Sequence, residues 1–375
     1  MMSGKANLKT LSLFTGAGGL DLGFEKAGFK IVGAVEWDED CCKTLNQNFD
    51  FKVVEEDIRK ISPEEILEKI GKTAEEIGVV TAGPPCQSFS RLGKRNGLED
   101  ERGGLFWELI DILEYIKPHT FVVENVPGIL NVGDGKVPQK LSDKFREMGY
   151  KVNIDLLNSA DYGVPQKRRR VFFLCNRDFK LKFPESTHSR NGSNRKERWK
   201  TVGETLSNIT AEDRKRDDNF SMNHTQKVIE RMKKIDQGEN FHALPMDMRP
   251  KCWKTGKHQG SDTFGRLEED KPSITIRTEA YNPTKGKYIH PWEDRGLSTL
   301  EMAILQSFPK DFRFSGGSMK SVSKQIGNAV PPQMAEIIAE AILQQIKPNE
   351  KVGIKLKHGN NVDLDFSEQK KLTEV

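Results

Sequence analysis

Cysteine is scarce in this sequence, and the few cysteines are not arranged as disulfide or metal-binding pairs. There are five, an odd number, and no two are spaced as Cys-x-x-Cys. Secreted disulfide-rich domains carry even sets of cysteines, and thiolate zinc sites usually carry closely spaced pairs. These absences argue against a disulfide framework or a metal site, and they favour a cytoplasmic location.

Long apolar runs are also absent. No stretch of about 18 apolar residues occurs, which is the length that a membrane-spanning helix requires. The first ten residues lack the apolar segment of a secretory signal. With 35% hydrophobic and 30% charged residues, the composition is that of a soluble globular protein. Its 375 residues suffice for one large domain and a smaller one.

A strong excess of one charge is missing overall, because 59 Lys and Arg nearly balance 55 Asp and Glu. The distribution is uneven, however. Residues 180–260 contain 18 basic and 11 acidic side chains, so the rest of the chain is slightly acidic. A basic segment on an acidic body indicates a polyanionic partner, although a solvated, loop-rich surface would produce the same pattern.

Alternating strand and helix patterns over residues 8–180 predict a doubly wound, Rossmann-like α/β fold with a mostly parallel sheet. The predicted strands are 8–14, 30–36, 53–58, 77–83, 119–126, 151–165 and 169–177. The predicted helices between them are 20–28, 38–49, 62–70 and 105–117. The helix at 62–70 has a clear start, because Ser62 and Pro63 precede two glutamates.

From about residue 181 the pattern loses this regularity. We interpret 181–317 as a smaller, irregular domain with short strand candidates such as "SITIRTEA" (273–280). A strong helix is predicted over 330–347, with two prolines at its start. The tail, 348–375, alternates apolar and polar residues around a Gly-Asn-Asn turn, which indicates a hairpin.

A glycine-rich turn, 16–19, joins the first strand to the first helix and predicts a ligand at this edge of the sheet. Glycines let the backbone approach a ligand, and the helix N-terminus presents free N–H groups. Glu36 ends the second strand 20 residues after Gly16, where an acid can accept ribose hydroxyls. Trp37 is suited to stack on adenine, and Asp57 to accept from its amino group. No lysine follows the glycines, so an adenosine ligand is favoured over a phosphate-binding loop.

One cysteine follows the fourth strand directly behind two prolines. Pro84 and Pro85 fix φ, so the direction of the Cys86 thiol is largely preset. Open α/β sheets bind ligands beyond the carboxyl ends of their strands, which makes Cys86 a candidate nucleophile. A buried, inert side chain is the alternative for a lone cysteine. Glu124 ends the next strand, and a buried carboxyl beside a nucleophile has its pKa raised and can donate a proton.

Three consecutive arginines precede the last strand of this region. In a strand, Arg168 and Arg170 share one face and Arg169 points to the other. A solvated basic edge is one interpretation. Two arginines on one face beside Cys86 and Glu124 are better interpreted as anchors for a substrate and its phosphates.

Six short motifs follow one another along the chain: "FTGAGGLDLGF", "EWD", "GPPCQSFS", "ENV", "QKRRRVF" and "QIGNAVPP". In this order they resemble the motif set of the DNA (cytosine-5) methyltransferases of bacterial restriction–modification systems. The resemblance covers about 8–347. It implies an S-adenosylmethionine methyltransferase sheet in a catalytic domain of 1–180 plus 318–347. The small domain, 181–317, would carry target recognition, mainly in 181–262.

The resemblance implies sequence-specific methylation of carbon 5 of cytosine in double-stranded DNA, with S-adenosylmethionine as the donor, S-adenosylhomocysteine as the product and no metal. Cys86 would form a covalent adduct at carbon 6 of a flipped-out base. Glu124, protonated, would contact ring nitrogen 3 and the exocyclic amine, and Arg168 and Arg170 would hold the base. A monomer is implied, with a cognate restriction endonuclease as a possible partner.

Further roles are implied residue by residue. Those for cofactor binding fall on Phe14, Gly16, Gly18, Gly19, Glu36, Trp37, Asp57, Ile58, Pro85, Leu105 and Asn328. Segment 90–104 is implied to be a closing lid with glycine hinges. Implied DNA contacts are Gln87, Ser90, Arg91, Lys94 and Arg95.

Three other functions are open to this sequence. A related branch methylates cytosine in transfer RNA, but its Cys-Phe-Thr signature is missing here. A non-catalytic DNA-binding homologue would have no need of Cys86, Glu124 and both arginines. A nicotinamide dehydrogenase would share the sheet and the acid after the second strand, but would not explain Pro-Pro-Cys or the basic segment.

Overall fold

The computed structural model describes residues 8–85, 104–133, 135–193, 195–255, 260, 262–347 and 354–357. The chain divides into two compact units. The first unit takes its described residues from Met1–Asn158, Arg169–Glu185 and Met334–Val375. The second unit takes them from Ser159–Arg168 and Ser186–Gln333. The functional domains expected from the sequence, 1–180 with 318–347 and 181–317, stay a prediction.

A seven-stranded sheet lies at the centre of the first unit, in the order β3-β2-β1-β4-β5-β7-β6. Its strands are β1 (Lys9–Leu13), β2 (Lys30–Glu36), β3 (Lys52–Glu55), β4 (Val79–Ala82), β5 (Thr120–Asn125), β6 (Lys151–Asn158) and β7 (Arg169–Asn176). Strands β1 to β5 run parallel, whereas β7 is antiparallel to both β5 and β6. This mixed but mostly parallel sheet confirms the predicted doubly wound α/β class.

Helices connect the parallel strands. They are α1 (Gly19–Lys26), α2 (Glu39–Asn48), α3 (Pro63–Ile70), α4 (Leu105–Ile116) and α5 (Lys136–Glu147). Short 3₁₀ turns occur at Ile58–Lys60, Ala74–Glu76 and Pro127–Asn131. Helix α3 begins with a capping box, in which Ser62 and Glu65 satisfy each other's backbone N–H, and it ends at left-handed Gly71. The predicted start of this helix is therefore confirmed.

Side chains alternate between the two faces of the central strands. Leu11, Val80 and Phe121 point into the main apolar core of the first unit. Neighbouring positions in the same strands, Ser12 and Thr81 among them, are buried polar residues and point to the opposite face. The sheet is therefore covered on both faces, but one of them carries a row of buried hydroxyl groups.

The second unit has little regular structure. Its elements are a two-stranded sheet of β8 (His188–Ser189) and β9 (Glu197–Arg198), and the helices α6 (Val202–Leu206), α7 (Gln226–Met232), α8 (Lys251–Lys254), α9 (Thr299–Leu305) and α10 (Met319–Asn328). Four 3₁₀ turns lie at Ser159–Tyr162, Asp213–Lys215, Phe241–Ala243 and Pro283–Lys285. A small apolar core gathers around Met232, Phe241 and Trp253.

The strand predicted over 273–280 is wrong. Only an isolated bridge forms there, between Ser273 and Gln166. The backbone of this segment is satisfied by side chains instead of by a neighbouring strand. Ile276 N–H donates to the Gln166 side chain at 2.8 Å, and the Tyr288 hydroxyl donates to the Thr275 carbonyl at 2.8 Å. Such bonds leave no continuous ladder for a second strand to join.

The last helix, α11 (Pro332–Ile346), begins and ends within one or two residues of the prediction. Of the tail, only 354–357 is described, and Leu356 forms an isolated bridge with Pro184. The rest of the predicted hairpin lies outside the described residues. Among the helices that are described, none has both the length and the apolar character needed to cross a membrane.

Candidate active site

The predicted site residues of the first unit gather where the strand order reverses. Strand β1 pairs with β2 on one side and with β4 on the other, so their carboxyl ends lie side by side. Strand β1 leads into the glycine turn, β2 ends at Glu36, and β4 leads into Gly83, Pro84 and Pro85. Ligands of open α/β sheets bind at such a reversal point.

The glycine turn requires glycine for two different reasons. Gly16 and Gly18 both have left-handed backbones, with φ of 57° and 79°. A Cβ on Gly18 would lie 2.6 Å from the Phe49 ring, so the turn packs tightly against α2. A Cβ on Gly16 would meet none of the described residues within 4 Å, so this part of the turn has room for a ligand. Phe14, also left-handed at φ 54°, begins the turn.

Glu36 joins the glycine turn to the end of β2. One carboxylate oxygen accepts from Gly16 N–H at 2.7 Å, and the other accepts from the N–H groups of Trp37 and Asp38, each at 2.9 Å. Burial raises the pKa of Glu36, although these three donors oppose the shift. Trp37 itself is 69% exposed, which is unusual for a large aromatic side chain. A fixed acid beside an exposed indole ring fits the ribose and adenine of an adenosine ligand.

Asp57 has a partner that the sequence analysis missed. Its carboxylate accepts from the backbone of Arg59 and forms a salt bridge with the Arg59 side chain, with Nε 2.9 Å from Oδ1. This arginine holds the pKa of Asp57 below its usual range. The neighbouring Ile58 is 5% exposed and belongs to the core. An adenine amino group at Asp57 would therefore share the carboxylate with Arg59.

Glu124 and Arg170 form a buried ion pair. Arg170 Nε lies 2.8 Å from Glu124 Oε1, and the two side chains are only 11% and 10% exposed. Burial lowers the pKa of Arg170, while the charge of Glu124 opposes that shift. Both residues are expected at the site from the sequence, but no sequence pattern predicts that they pair. This cation stabilises a negative charge on Glu124, whereas the expected role requires a proton there.

Glu124 and Asn125 both lie close to the strand end that precedes Cys86. A Cβ placed on Gly83 would lie 3.8 Å from Glu124 Oε2 and 3.6 Å from the Phe14 carbonyl oxygen. The Asn125 side chain donates to the Pro84 carbonyl at 2.8 Å. Asn125, part of the quoted "ENV" motif, was not singled out from the sequence. It ties the end of β4 to the end of β5.

Arg168 does not share a strand face with Arg170, which corrects the expectation from spacing. Strand β7 begins at Arg169, and Arg168 belongs to the second unit. Its side chain is fully buried and donates to the carbonyls of Ile276 at 3.0 Å and Gly327 at 2.8 Å. These contacts give Arg168 a role in holding two segments of the second unit. Its role toward a substrate stays a prediction.

Several predicted residues cannot be placed in this site. Cys86 and the predicted DNA contacts Gln87, Ser90, Arg91, Lys94 and Arg95 lie outside the described residues. So does the predicted lid, except its last residue, Gly104. Pro85 is exposed, Leu105 begins α4, and Asn328 is an exposed residue at the end of α10 in the second unit. Their roles stay predictions.

Known proteins share both sequence and fold with this chain. The sequence model of C-5 cytosine-specific DNA methylases matches residues 8–344. The type II methyltransferase M1.HphI of Haemophilus parahaemolyticus is 34% identical, covering 90% of this chain and 87% of that protein. M.NgoFVII of Neisseria gonorrhoeae is 36% identical, covering 92% and 89%.

Solved structures show the same fold at lower identity. A prophage-encoded DNA modification methyltransferase of E. coli superposes with a TM-score of 0.68 at 24% identity, covering 91% of this chain and 99% of that one. The S. pombe Dnmt2 methyltransferase superposes with a TM-score of 0.58 at 16% identity, covering 90% and 99%. The sequence match, 8–344, includes residues of both compact units.

Proposed function

We propose a specific reaction for this chain, which belongs to the C-5 cytosine-specific DNA methylase family and is a DNA cytosine-5 methyltransferase. In this proposal it methylates one cytosine within a specific sequence of double-stranded DNA, with S-adenosylmethionine as the methyl donor. Its curated relatives are type II methyltransferases, so it is the modification enzyme of a type II restriction–modification system. The observation that carries the finer proposal is the buried Glu124–Arg170 pair beside the strand end that leads to Cys86.

The residues at the carboxyl edge of the sheet fit S-adenosylmethionine. Glu36 would bind the ribose, while Phe14 and exposed Trp37 would flank the adenine. Asp57 and Ile58 would border the base edge, and Gly16, Gly18 and Gly19 would let the backbone approach the methionine part closely. Pro85, Leu105 and Asn328 complete the proposed set. When bound, the cofactor supplies a methyl group on a positively charged sulfur, and S-adenosylhomocysteine remains as the product.

Cys86 is the proposed nucleophile. Carbon 5 of cytosine is a weak nucleophile, so the ring must first be activated. Attack of the Cys86 thiolate on carbon 6 forms a sulfur–carbon bond and moves an electron pair toward carbon 5. Carbon 5 takes the methyl group and then loses its proton to a base, and the returning electron pair expels the thiolate. These steps regenerate Cys86 and leave 5-methylcytosine.

Glu124 is the proposed proton donor to ring nitrogen 3, where negative charge develops during attack. In the described conformation Arg170 balances a negative charge on Glu124. The carboxyl group must therefore take up a proton from solvent when the cytosine enters. Arg170 then holds the carboxyl group at the end of β5 and is available to the base. We retain Arg168 as a proposed base contact, although its described bonds go to backbone carbonyls.

Access to carbon 6 requires that the cytosine leave the duplex. A stacked base shields this atom, so we propose base flipping. Segment 90–104 would close over the flipped base, with Gln87, Ser90, Arg91, Lys94 and Arg95 contacting DNA. The basic excess of 180–260 supports target recognition within 181–262. We further propose a monomer in the bacterial cytoplasm, with a cognate endonuclease that cuts the same sequence.

Methyl transfer from labelled S-adenosylmethionine tests this function directly. The intact chain is incubated with duplex DNA or with transfer RNA, beside the variants Cys86→Ala and Glu124→Gln. Cys175→Ala is the matched control, because Cys175 is buried in the apolar core of the first unit and has no proposed role in the reaction. We expect DNA labelling that Cys86→Ala abolishes, Glu124→Gln strongly reduces and Cys175→Ala preserves. Labelling of RNA alone, or full activity without Cys86, would refute the proposal.

A trapping experiment tests the covalent step. DNA with 5-fluorocytosine at the target position cannot lose its carbon 5 substituent as a proton, so the adduct persists. We expect a complex that survives denaturing electrophoresis with the unmodified chain and is absent with Cys86→Ala. Sequencing of chemically converted DNA after methylation identifies the target sequence.

A further inference from the structure

Among the residues that the structure describes, a carboxyl group just after the glycine turn is buried without a hydrogen-bond partner. Asp21 is in the first turn of α1 and is 0% exposed. Neither of its two oxygens has a hydrogen-bond partner among the residues that the structure describes. Buried carboxyl groups are costly unless hydrogen bonds or a cation compensate for lost water. The proposed chemistry does not use this residue, so its position requires another explanation.

The described surroundings of Asp21 are polar, and no basic side chain among the described residues acts on its carboxyl group. Ser12 of β1 lies near enough to favour the ionised carboxylate, although without the geometry of a full hydrogen bond. Thr81, the partner of Ser12 in the β1–β4 register, has a buried hydroxyl that also lacks a partner among the described residues. The charged group that acts on Asp21 is Glu25, one turn further along α1. Its negative charge disfavours a second one.

This polar group is connected to the turn itself. The Thr15 hydroxyl donates to Ser12 Oγ at 3.1 Å, and Thr15 N–H contacts the Val35 carbonyl at 3.4 Å. Thr15 lies between Phe14 and Gly16, within the proposed cofactor turn. The side chains of Ser12 and Thr15 therefore connect Asp21 to the backbone that would contact the cofactor.

Asp21 changes charge near neutral pH. Burial raises its pKa to about 7, with Ser12 opposing the shift and Glu25 adding to it. Its protonated and ionised forms are therefore both populated near neutral pH. The N-terminal turn of a helix stabilises such a charge, because its free N–H groups point toward it. The group can respond to a nearby positive charge by losing its proton.

We propose that Asp21 is a positioning residue that recognises the positive sulfur of S-adenosylmethionine. Its carboxyl group loses its proton when the donor binds, whereas binding of the neutral product S-adenosylhomocysteine does not remove that proton. The inference rests on the proposed cofactor. The carboxylate acts through its electric field and through the Ser12–Thr15 contact, without touching the reacting atoms. Exchange of product for donor then releases a proton from the protein.

The size of this coupling follows from linkage. If only the ionised form favours the donor, its affinity rises by about tenfold between pH 6 and pH 8 for a group with a pKa of about 7. The affinity for the neutral product lacks this component. A group such as Glu36 that acts equally on both ligands changes both affinities by the same factor, so its effect cancels in their ratio.

Isothermal titration calorimetry of the intact chain tests the proposal without a measurement of activity. Each ligand is titrated at pH 7 in buffers of different ionisation enthalpy, which reports the protons released on binding. We expect more proton release for the donor than for the product, by up to one proton per molecule, since donor binding ionises Asp21. Asp21→Asn should remove this difference. Glu68→Gln, which removes an exposed acid of α3, should keep it.

The possible results separate the two levels of the proposal. Equal proton release with both ligands in the unchanged chain would overturn the role of Asp21, even if Asp21→Asn failed to fold. Loss of the difference in Glu68→Gln but not in Asp21→Asn would also overturn it. If neither ligand bound, the proposed cofactor would be wrong, and this inference would be wrong with it.

Discussion

Replacement of Arg170 by glutamine should destabilise the first unit and stop methyl transfer. The guanidinium group lies 2.8 Å from Glu124 Oε1, and both side chains are at most 11% exposed. Removal of one partner leaves the other charge buried and uncompensated. Buried pairs broken in this way typically cost about 3–5 kcal/mol in the free energy of unfolding. We expect a loss in this range, measured by urea unfolding at neutral pH.

A double-mutant cycle separates the ion pair from general loss of packing. In Glu124→Gln/Arg170→Gln neither charge remains, and two amides can hydrogen-bond to each other. The double variant should therefore be more stable than the sum of the two single losses predicts, by roughly 1–3 kcal/mol. Arg170→Lys keeps the charge but not the planar guanidinium group, so it should recover only part of the stability and activity.

An exposed salt bridge in the same unit provides the control. Arg59 pairs with Asp57, but its side chain is 58% exposed. Exposed pairs contribute about 0–1 kcal/mol, so Arg59→Gln should change the unfolding free energy by no more than that. If Arg170→Gln costs no more than this control, or if the two single losses simply add, then the buried pair does not stabilise the end of β5 and the reasoning fails.

Three further predictions concern the turn, the strand end and the second unit. Gly18→Ala should lower the free energy of unfolding by about 1–3 kcal/mol and weaken cofactor binding in calorimetry, because residue 18 has a left-handed backbone and the added Cβ would overlap the Phe49 ring. Cofactor binding as tight as that of the unchanged chain would contradict this. Asn125→Ala should lower kcat by tenfold or more and the free energy of unfolding by about 1–2 kcal/mol, because the Pro84 carbonyl loses its hydrogen-bond donor. An unchanged kcat would show that this contact does not position the strand end. Burial lowers the pKa of His290 from 6.5 to about 4. Between these two pH values the unfolded chain binds more protons than the folded chain, so the free energy of unfolding should fall by at most roughly 3 kcal/mol as the pH drops from 6.5 to 4. His290→Asn should flatten this part of the profile of unfolding free energy against pH, and an unchanged slope would show that His290 is not the cause.

The sequence predicts the first unit well because local and periodic signals agree there. Five parallel strands, the start of α3 and the position of α11 all follow from apolar periodicity and from capping or proline signals. Parallel order places Glu36 and Glu124 at the same edge of the sheet. For that reason the fold class and the region of the site could be predicted before any coordinates were known.

Contacts between distant residues could not be predicted in the same way. Strand spacing places Arg168 beside Arg170, but the chain leaves the strand at that point, and Arg168 bonds to carbonyls more than 100 residues away. The segment after Ser273 has the composition of a strand, yet a glutamine side chain takes its backbone donor. No sequence period encodes such partners. Arg59 is different, since an arginine two residues after Asp57 is a local signal that could have been used.

Gly83 connects the two halves of the proposed reaction. A Cβ at this residue would lie 3.6 Å from the Phe14 carbonyl oxygen of the cofactor turn and 3.8 Å from Glu124 Oε2, so this strand end borders both groups. Three residues later comes Cys86, and Asn125 fixes the Pro84 carbonyl between them. The methyl donor and the activated base must come into contact for the transfer to occur. A strand end that borders both the turn and the carboxyl group satisfies this requirement.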